Sequence, residues 1–384
     1  MKVAIIGAGI GGLTTAIALN QAGIDAEIFE AAPELKPVGA GIFMWSNAMQ
    51  VFQHLGISEE VKLAGLEVDI AYVKDLRLKP ISTFHIKEKI SSRYGIGNFA
   101  MTRARLQEVL LRHIKSESLH LDKRLRHLDL QPDQVKLSFE DGATHDAEIV
   151  IAADGIHSVA RKFVDGTCPP RYSGQTCWRG ISHFRLPDAF RNQSFEIWGD
   201  GAGLRFGFGQ VKESEVYWFS TVCAPEGQKD QPGIIIESLQ KIYADFGSVV
   251  TGLINSTDPS SIHRSDLYDF PHIRNWWKGR LALLGDAAHA TTPNLGQGGC
   301  QAIEDGWAIA HYLKIYPDPQ KAFSAYQQYR YAKAKKVIDL SWTFNNFTNI
   351  RQPRLRTLRN SMLRSIPESV NIKLLNSIYQ LGPL

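Results

Sequence analysis

Cysteines are few in this sequence, and long apolar runs are absent. The four cysteines, at positions 168, 177, 223 and 300, form no CxxC pair and no His/Cys spacing typical of zinc. We therefore expect free thiols, no bound metal and a reducing compartment, by default the cytoplasm. No run of about 18 apolar residues occurs, and the first ten residues lack the pattern of a cleavable leader, so we expect neither a transmembrane segment nor a signal peptide.

An excess of one charge sign is also missing. The 43 Lys and Arg residues against 39 Asp and Glu give a formal net charge of +4, which is too small and too scattered for a nucleic-acid interface. Hydrophobic residues make up 44% of the 384 residues, so the chain can form a sizeable core. Its length favours about two domains.

The first motif is a dinucleotide-binding pattern. KVAIIGAGIGG predicts a buried parallel strand that breaks into a helix running from about residue 11 to residue 21. Gly7, Gly9 and Gly12 fit GxGxxG, in which the glycines allow a tight turn, close approach of a pyrophosphate, and close packing of helix on strand. Both NAD and FAD are bound by this pattern, so it leaves the cofactor open.

The segment after the second strand favours a flavin. AEIFE ends at Glu30, where an acidic residue accepts ribose hydroxyls. A simple NAD dehydrogenase would continue βαβαβ, whereas here a glycine-interrupted segment leads to an amphipathic helix from about Asn47. Gly39 and Gly41 would let the backbone run close to a planar ring, although an ordinary loop also explains them.

A further helix is predicted in MTRARLQEVLLRHI, capped by Thr102 and with Arg103 and Arg105 in its first turn. Because the helix dipole disfavours cations there, these arginines indicate an anionic partner, with a solvated arginine as the simpler alternative.

Two later strands each end beside an acidic residue, one at Asp154-Gly155 and one at Gly285-Asp286. Open α/β sheets bind ligands at the carboxyl ends of their strands. The loop PNLGQGG at 293–299 follows the second acid and precedes a helix, so its amides and the helix dipole can face a negative charge such as a reduced flavin ring.

Together these motifs resemble the single-component FAD-dependent aromatic hydroxylases, the group that contains salicylate hydroxylase, urate hydroxylase and zeaxanthin epoxidase. The resemblance rests on GAGIGG at 7–12, DG at 154–155 and GDAAHATTPNLGQGGCQAIED at 285–305, with YSGQTCWRGI at 172–181 in support, and covers about residues 1–310. His289 is expected to be structural. The cofactor-binding residues that we predict are Gly7, Gly9, Gly12, Glu30, Gly41, Arg103, Leu125, Asp154, Asp286, Pro293, Gly296, Gln297, Gly298 and Gly299.

The expected fold class is α/β, with three parts. A Rossmann-like FAD-binding domain is formed by residues 1–70, 95–165 and 275–330. An antiparallel-sheet substrate domain takes 71–94 and 166–274, and C-terminal helices take 331–384.

The resemblance also implies a reaction. NADH or NADPH would reduce FAD, which captures O2 as a C4a-hydroperoxide and hydroxylates or epoxidises an electron-rich small organic substrate. The sequence contains no second GxGxxG, which agrees with a nicotinamide that binds only transiently. The alternatives are a flavin-dependent reductase or oxidase of the same fold, a non-catalytic flavin-binding protein and a flavin-free NAD dehydrogenase.

The substrate is expected to lie against the strand LRFGFG. Its alternation places the leucine and phenylalanines on one face and Arg205, Gly207 and Gly209 on the other. The glycine face would leave room for a flat ligand, with Arg205 holding an anionic or phenolate oxygen; a solvent-facing arginine paired with a glutamate explains it equally well. Tyr217 is the second catalytic candidate, with plain packing as its alternative. Similar positions in urate hydroxylase-like relatives carry an arginine and a tyrosine near the substrate.

A basic amphipathic helix is predicted near the C-terminal end. Such a helix lies on an anionic membrane surface or packs back on its own protein, and we expect the second. Its apolar stripe is Leu355, Leu358, Met362 and Ile366, flanked by Arg354, Arg356, Arg359 and Arg364.

Overall fold

The computed structural model describes residues 1–35, 40–166, 168–231 and 233–384. Its strands are β1 (Val3–Ile6), β2 (Ala26–Phe29), β3 (Gly41–Met44), β4 (Gly65–Val68), β5 (Ile70–Asp75), β6 (Pro80–His85), β7 (Asn98–Thr102), β8 (Leu119–His120), β9 (Leu125–Leu130), β10 (Val135–Phe139), β11 (Thr144–Ala147), β12 (Ile149–Ala152), β13 (Arg171–Ser182), β14 (Gln193–Trp198), β15 (Arg205–Lys212), β16 (Glu215–Cys223), β17 (His263–Asp269), β18 (Trp277–Lys278) and β19 (Leu281–Leu283). Its helices are α1 (Ile10–Gln21), α2 (Ser46–His54), α3 (Ser58–Leu63), α4 (Ser92–Tyr94), α5 (Arg103–Leu111), α6 (Arg161–Asp165), α7 (Ile235–Ile242), α8 (Ser248–Asn255), α9 (Asp286–His289), α10 (Gly298–Ile315), α11 (Pro319–Thr348), α12 (Pro353–Arg364) and α13 (Glu368–Tyr379).

The predicted Rossmann-like half is confirmed. A sheet of order β18–β19–β12–β1–β2–β8 is parallel apart from the β18–β19 pair. Strands β1 and β12 are buried along their whole length, as parallel strands covered on both faces must be. Because β2, β1, β12 and β19 are neighbours and parallel, their carboxyl ends meet at one edge.

The predicted antiparallel half is also present. Its sheet has the order β17–β13–β16–β15–β14–β5–β6 and is antiparallel except between β14 and β5. Phe206, Phe208 and Trp218 face helices α7 and α8 and form an aromatic core with them. The opposite face meets the small sheet β3–β7–β4 of the first half. The sheet joins residues 70–85 to 171–269, and the division into domains given from the sequence stays a prediction.

The long helix α11 connects the two halves. The predicted boundary between residues 330 and 331 lies inside this continuous helix, which packs on α10 through Arg330 and on the substrate sheet through Asn345. Near its end, Asn345 donates to the carbonyl of Ser173 in β13 over 3.0 Å. None of the described helices is both long enough and apolar enough to cross a membrane.

A buried ion-pair network joins α11 to α10. The Arg330 guanidinium donates to Asp305 over 2.7 Å, to Glu304 over 2.5 Å and to Gln301 Oε1 over 2.6 Å. Lys333 adds contacts of 2.8 Å to both oxygens of Glu304. Buried charges are tolerated only when they are paired and hydrogen-bonded, and these residues satisfy one another.

The same network holds the end of β19. The other Asp305 oxygen accepts from the Gly285 amide over 3.0 Å and lies 2.5 Å from His289 Nε2. His289 is buried. The structural role expected for His289 is thus supported by its position beneath the Gly285-Asp286 turn.

The network predicts an acid-sensitive fold. Burial alone would raise the pKa of Asp305, but the charges and hydrogen bonds of His289 and Arg330 lower this pKa from 3.8 to about 2. A carboxyl whose pKa is lower in the folded state stabilises the protein above the unfolded pKa, and that stabilisation, about 2 kcal/mol, is lost as the pH falls from about 4 to about 2. We expect Asp305→Asn to lower the free energy of unfolding at pH 7 by about 3 kcal/mol, because it leaves Arg330 short of a partner.

Urea unfolding measured across the acid range checks this expectation. Asp133→Asn is the matched control, since the Asp133 side chain is 99% exposed and has only a distant contact with Arg280. An Asp305→Asn protein as stable at pH 7 as this control would contradict the assigned role.

Candidate functional site: a cofactor cleft and an adjoining aromatic pocket

The predicted cofactor-binding residues gather at the carboxyl edge of the parallel sheet. Gly7 follows β1, Glu30 follows β2, Asp154 lies just beyond β12, and Gly285-Asp286 follow β19. Since these four strands are adjacent, the topology brings together motifs that are more than 250 residues apart in the chain.

Each of the three glycines of the GxGxxG motif is needed for a different structural reason. Gly7 has a φ of +101°, which side-chain-bearing residues rarely adopt. A Cβ on Gly12 would lie 2.0 Å from the Gly7 carbonyl oxygen, so only glycine lets α1 pack this closely on the turn. A Cβ on Gly9 would meet nothing within 4 Å. Gly9 precedes the first residue of α1, so the open space lies where a pyrophosphate would meet the helix N-terminus.

Glu30 lies beside this turn. Its carboxylate accepts from the Ala8 amide over 2.7 Å and from the Ala32 amide over 2.9 Å. Leu125 is close in the chain to Lys123, whose amide donates to the Glu30 carbonyl over 2.8 Å. The Leu125 side chain itself is part of the buried core, so any contact of this residue with a cofactor would involve its backbone.

Asp154 carries an unpaired buried oxygen. Its Oδ2 accepts from the amides of Val159 and Ala160, over 2.9 and 3.3 Å, whereas Oδ1 is buried and has no partner among the described residues. Burial raises the pKa of this carboxyl. A buried acceptor without a donor is costly, so this atom fits a ligand that carries hydroxyl groups, as FAD does.

Arg103 and Asp286 line a cleft. Both side chains are accessible to solvent, yet enough protein surrounds them that desolvation is the largest effect on each: it raises the pKa of Asp286 and lowers that of Arg103. The two charges attract each other. Thr102 caps α5 as predicted, by accepting from the Arg105 amide over 3.3 Å. Arg105 pairs with Glu215 at 3.0 Å, so it has its anionic partner within the protein.

Residues at the start of α2 contact the loop at 293–299. The Trp45 indole donates to the Gly296 carbonyl over 2.8 Å, and a Cβ on Gly296, whose φ is +61°, would lie 2.7 Å from the same indole nitrogen. Asn47 donates to the buried Gln297 over 3.0 Å. Pro293 begins the loop on the exposed side, and Gly298 and Gly299 form the first turn of α10, so their amides have no acceptor within the helix.

Three residues that sequence reasoning missed support this cleft: Trp45, Asn47 and Arg161. Arg161 is buried and donates to the carbonyls of Ala287 and Gly155, over 2.9 and 3.1 Å, so it ties together the two strand ends that carry Asp154 and Asp286. The sequence offered one signal for Arg161, its position seven residues after Asp154 in the segment that follows this strand end. Trp45 and Asn47 had none, because their partners are more than 240 residues away.

Arg205 matches neither expectation fully. It is paired with a glutamate, at 3.0 Å from Glu196, but it is buried rather than solvent-facing. It also donates to Thr221 over 3.1 Å, to Gln175 over 3.2 Å and to Asn294 over 2.7 Å. These bonds use four of its five N–H groups. Arg205 therefore joins the substrate sheet to the loop at 293–299.

The expectation of open space above the glycines of β15 is wrong. A Cβ on Gly207 would lie 2.3 Å from the Phe219 ring, and one on Gly209 would lie 2.9 Å from the Phe43 ring. Rings from β16 and β3 fold over these positions, so the glycines make room for the protein's own aromatic side chains. Gly41 behaves in the same way, because a Cβ there would lie 2.1 Å from the Tyr217 ring. Gly39 lies outside the described residues.

Tyr217 is buried between the two halves. Desolvation raises its pKa to about 12, although the positive charge of the nearby Arg179 guanidinium lowers it in part. Its ring lies 6.0 Å from that of Phe43, which stacks on Trp45 at 5.6 Å. Tyr217, Phe43, Phe219 and Trp45 thus form an aromatic wall, which we call the aromatic pocket wall, beside the loop at 293–299.

A parallel sheet with a glycine turn, an acid at each strand end and a glycine loop at a helix N-terminus defines an FAD-binding fold. The family model described as FAD binding domain matches residues 1–341, and the chain belongs to this family, that of the FAD-dependent aromatic hydroxylases and monooxygenases. It is an FAD-dependent monooxygenase.

Known relatives cover nearly all of the chain. It is 38% identical over 338 residues to an aurachin C monooxygenase/isomerase of Stigmatella aurantiaca, covering 88% of this chain and 87% of the relative. It is 32% identical over 381 residues to a 2-heptyl-3-hydroxy-4(1H)-quinolone synthase of Pseudomonas aeruginosa, covering 96% and 95%. The crystal structure of Klebsiella pneumoniae HpxO complexed with FAD and uric acid matches with a TM-score of 0.92 at 29% identity, covering 100% and 97%.

The glycine turn yields a prediction that separates binding from folding. Gly9→Ala adds a Cβ that touches no protein atom, so the apoprotein should keep its melting temperature, while crowding of the pyrophosphate should weaken FAD binding about tenfold or more. Titration of apoprotein with FAD, followed by flavin fluorescence, measures this. Gly12→Ala is the contrasting variant: its clash with Gly7 should lower the stability of the apoprotein itself. Unchanged FAD affinity in Gly9→Ala would contradict the placement of the pyrophosphate.

Proposed function

We propose that this monooxygenase takes reducing equivalents from NADH or NADPH and uses O2 to hydroxylate a flat, electron-rich aromatic compound, a phenol or a nitrogen heterocycle. The observation that carries the proposal is the bond from Arg205 of the substrate sheet to Asn294 of the 293–299 loop, over 2.7 Å. Trp45 of the aromatic pocket wall donates to Gly296 of the same loop over 2.8 Å, so the wall and the substrate sheet both contact the loop at which the flavin ring is expected. Of the proteins that resemble this chain, one is by its name the synthase of a hydroxyquinolone, and another was crystallised in complex with uric acid.

The side chains suit such a substrate. Aromatic rings favour stacking with a flat aromatic ligand and exclude water from it. The Arg179 guanidinium lies near the Tyr217 hydroxyl, and its positive charge favours a substrate with an anionic or phenolate oxygen. Arg205 has one N–H group left, so we assign it mainly to positioning the 293–299 loop.

Tyr217 is assigned to orienting the substrate. Because its pKa is about 12, its hydroxyl stays protonated at neutral pH. Arginine carries only hydrogen-bond donors, so the Arg179 guanidinium near this hydroxyl cannot accept its hydrogen, which stays available for an acceptor on the substrate. Tyr217 thus acts as a hydrogen-bond donor and not as a base.

The cofactor fits the residues that are present. Gly9 and the N-terminus of α1 would hold the pyrophosphate, Glu30 a ribose, Asp154 and Asp286 further hydroxyl groups, and the amides of Gly298 and Gly299 the flavin ring. FAD, when bound, supplies the redox chemistry with oxygen, and the protein supplies binding, orientation and exclusion of water. The cytoplasm is the proposed compartment, supported by four free cysteines.

The reaction is tested with the FAD-loaded protein, NADH or NADPH, and a panel of phenols, purines and quinolones. The proposal expects a substrate that accelerates nicotinamide oxidation and a product that carries one atom from ¹⁸O-labelled O2. Nicotinamide oxidation that yields only hydrogen peroxide with every compound would identify an oxidase, and reduction of the substrate without oxygen incorporation would identify a reductase. Absence of turnover with either nucleotide would leave a flavin-binding protein.

Removal of the Tyr217 hydroxyl should uncouple the reaction. Tyr217→Phe keeps the ring that packs on Gly41, so FAD content should stay unchanged, while product formed per nicotinamide oxidised should fall several-fold and hydrogen peroxide should rise. Tyr268→Phe is the control, because the Tyr268 hydroxyl bonds only Glu226 on the exposed side of the sheet. Coupling equal to that of the control would remove Tyr217 from the site.

Loss of the Arg205 link should impair turnover. Arg205→Gln breaks the bond to Asn294 and leaves the partly buried Glu196 unpaired, so we expect product formation to fall at least about tenfold, with some loss of stability. Asn294→Ala also removes the bond to Arg205, together with those that Asn294 donates to Thr292 and Ser341, but it leaves the Arg205–Glu196 pair in place and so separates the two effects. If Asn294→Ala turns over like the wild type, the link between sheet and loop does not position the flavin loop.

A further inference from the structure

Helix α12 presents its apolar side to solvent. Leu355, Leu358 and Met362 are between 48% and 61% exposed, and Ile366, just beyond the helix, is 37% exposed. These residues are separated by three or four positions, so they form one stripe along the helix. The helix does pack on its own protein, as expected, but the apolar stripe is not the side that makes this contact.

The arginines of α12 explain its orientation. Arg359 is buried, donates to the Phe347 carbonyl over 2.7 Å and stacks 4.4 Å above the Trp198 ring. Arg364 pairs with Asp75 at 2.5 Å and donates to the Pro80 carbonyl over 3.1 Å. The helix is attached through these arginines, and its leucines are left outside.

A neighbouring turn adds to the same surface. Arg364 connects α12 to the turn between β5 and β6, where Leu78 is 41% exposed between the exposed residues Arg77 and Lys79. Leu78 has a φ of +58°, which is uncommon for a residue with a side chain. We use the name apolar-basic face for the exposed residues Leu78, Leu355, Leu358, Met362 and Ile366 with Arg77, Lys79, Arg351 and Arg354.

The charges around this face select its partner. Residues 340–367 contain five arginines and neither aspartate nor glutamate. A second copy of the chain would bring the same positive charges together, which disfavours self-association through this face. Apolar side chains between cations are the pattern of a helix that lies in the interface of an anionic membrane.

We propose that the apolar-basic face docks on the surface of an anionic lipid bilayer. Leu355, Leu358 and Met362 enter the interfacial region, and Arg351 and Arg354 meet lipid phosphates. The contact is peripheral and reversible, since a single short helix buries little apolar surface. The face lies on the substrate side of the molecule, because Arg359 stacks on Trp198, whose neighbour Phe344 lies 5.5 Å from Arg205.

Vesicle sedimentation with the full-length FAD-loaded protein tests this proposal. Vesicles of phosphatidylcholine alone are compared with vesicles of equal parts phosphatidylcholine and phosphatidylglycerol, at low and high salt. We expect binding to the anionic vesicles that weakens with salt. The triple variant Leu355→Gln/Leu358→Gln/Met362→Gln and the double variant Arg351→Gln/Arg354→Gln should each lower the partition coefficient about tenfold or more.

Two matched controls keep the test specific. Leu63→Gln changes a leucine that is 88% exposed on α3, and Arg126→Gln changes an exposed arginine on β9. Both should bind vesicles like the wild type, and all variants should retain their FAD and their melting temperature.

Three outcomes would overturn the proposal: no binding of the wild type to either vesicle, equal binding of the triple variant, or a dimer in solution that the triple variant abolishes. The last would assign the face to a second copy of the chain. None of these readouts depends on turnover, so the docking surface stands or fails independently of the proposed function.

Discussion

The ion pairs of Arg330 with Asp305 and Glu304 are the constraint on which the rest of the site depends. These charges are buried between α10 and α11, where each can persist only if its partners stay in place. Asp305 extends the constraint to the Gly285 amide and to His289, while Glu304 extends it to Asn47, over 2.6 Å. One buried network therefore positions the turn that carries Asp286, the start of α10, and helix α2 beside the loop at 293–299.

The second requirement is close contact between the two halves of the molecule. Gly41 of β3 lies against the Tyr217 ring of β16, at a distance that no side chain would permit. Arg205 reaches from β15 to Asn294 of the loop at 293–299. Through these contacts, the sheet that would hold a substrate and the loop that would hold the flavin ring are adjacent. A reaction between a bound cofactor and a bound substrate needs such an arrangement, because orientation within fractions of an ångström decides its rate.

In helix α12, the amphipathic pattern of the sequence does not predict which side of the helix is buried. Its leucines form a stripe that would ordinarily lie against the protein core, yet the arginines occupy the protein side by stacking on Trp198 and pairing with Asp75. In the isolated chain this apolar stripe stays in contact with water, which the hydrophobic effect disfavours. The molecule therefore combines an interior cleft for a cofactor with an outward face suited to a lipid surface, both adjoining the substrate sheet.

The sequence by itself determined the FAD-binding half, because its signals are local: the glycine turn after β1, the acids at the strand ends, the cap at Thr102 and the glycine loop before α10 are each contained within a few residues. It also indicated the antiparallel sheet and the division of β15 into a phenylalanine face and a face of Arg205 and glycines. Only the tertiary structure decided which residues lie opposite each position. Phe219 and Phe43 cover Gly207 and Gly209, and Arg205 is buried against Asn294. Arg161 joins two strand ends, and α12 turns its leucines outward. The physical reason is that periodicity defines two faces of a strand or helix, whereas the partner of each face depends on contacts between residues far apart in the chain.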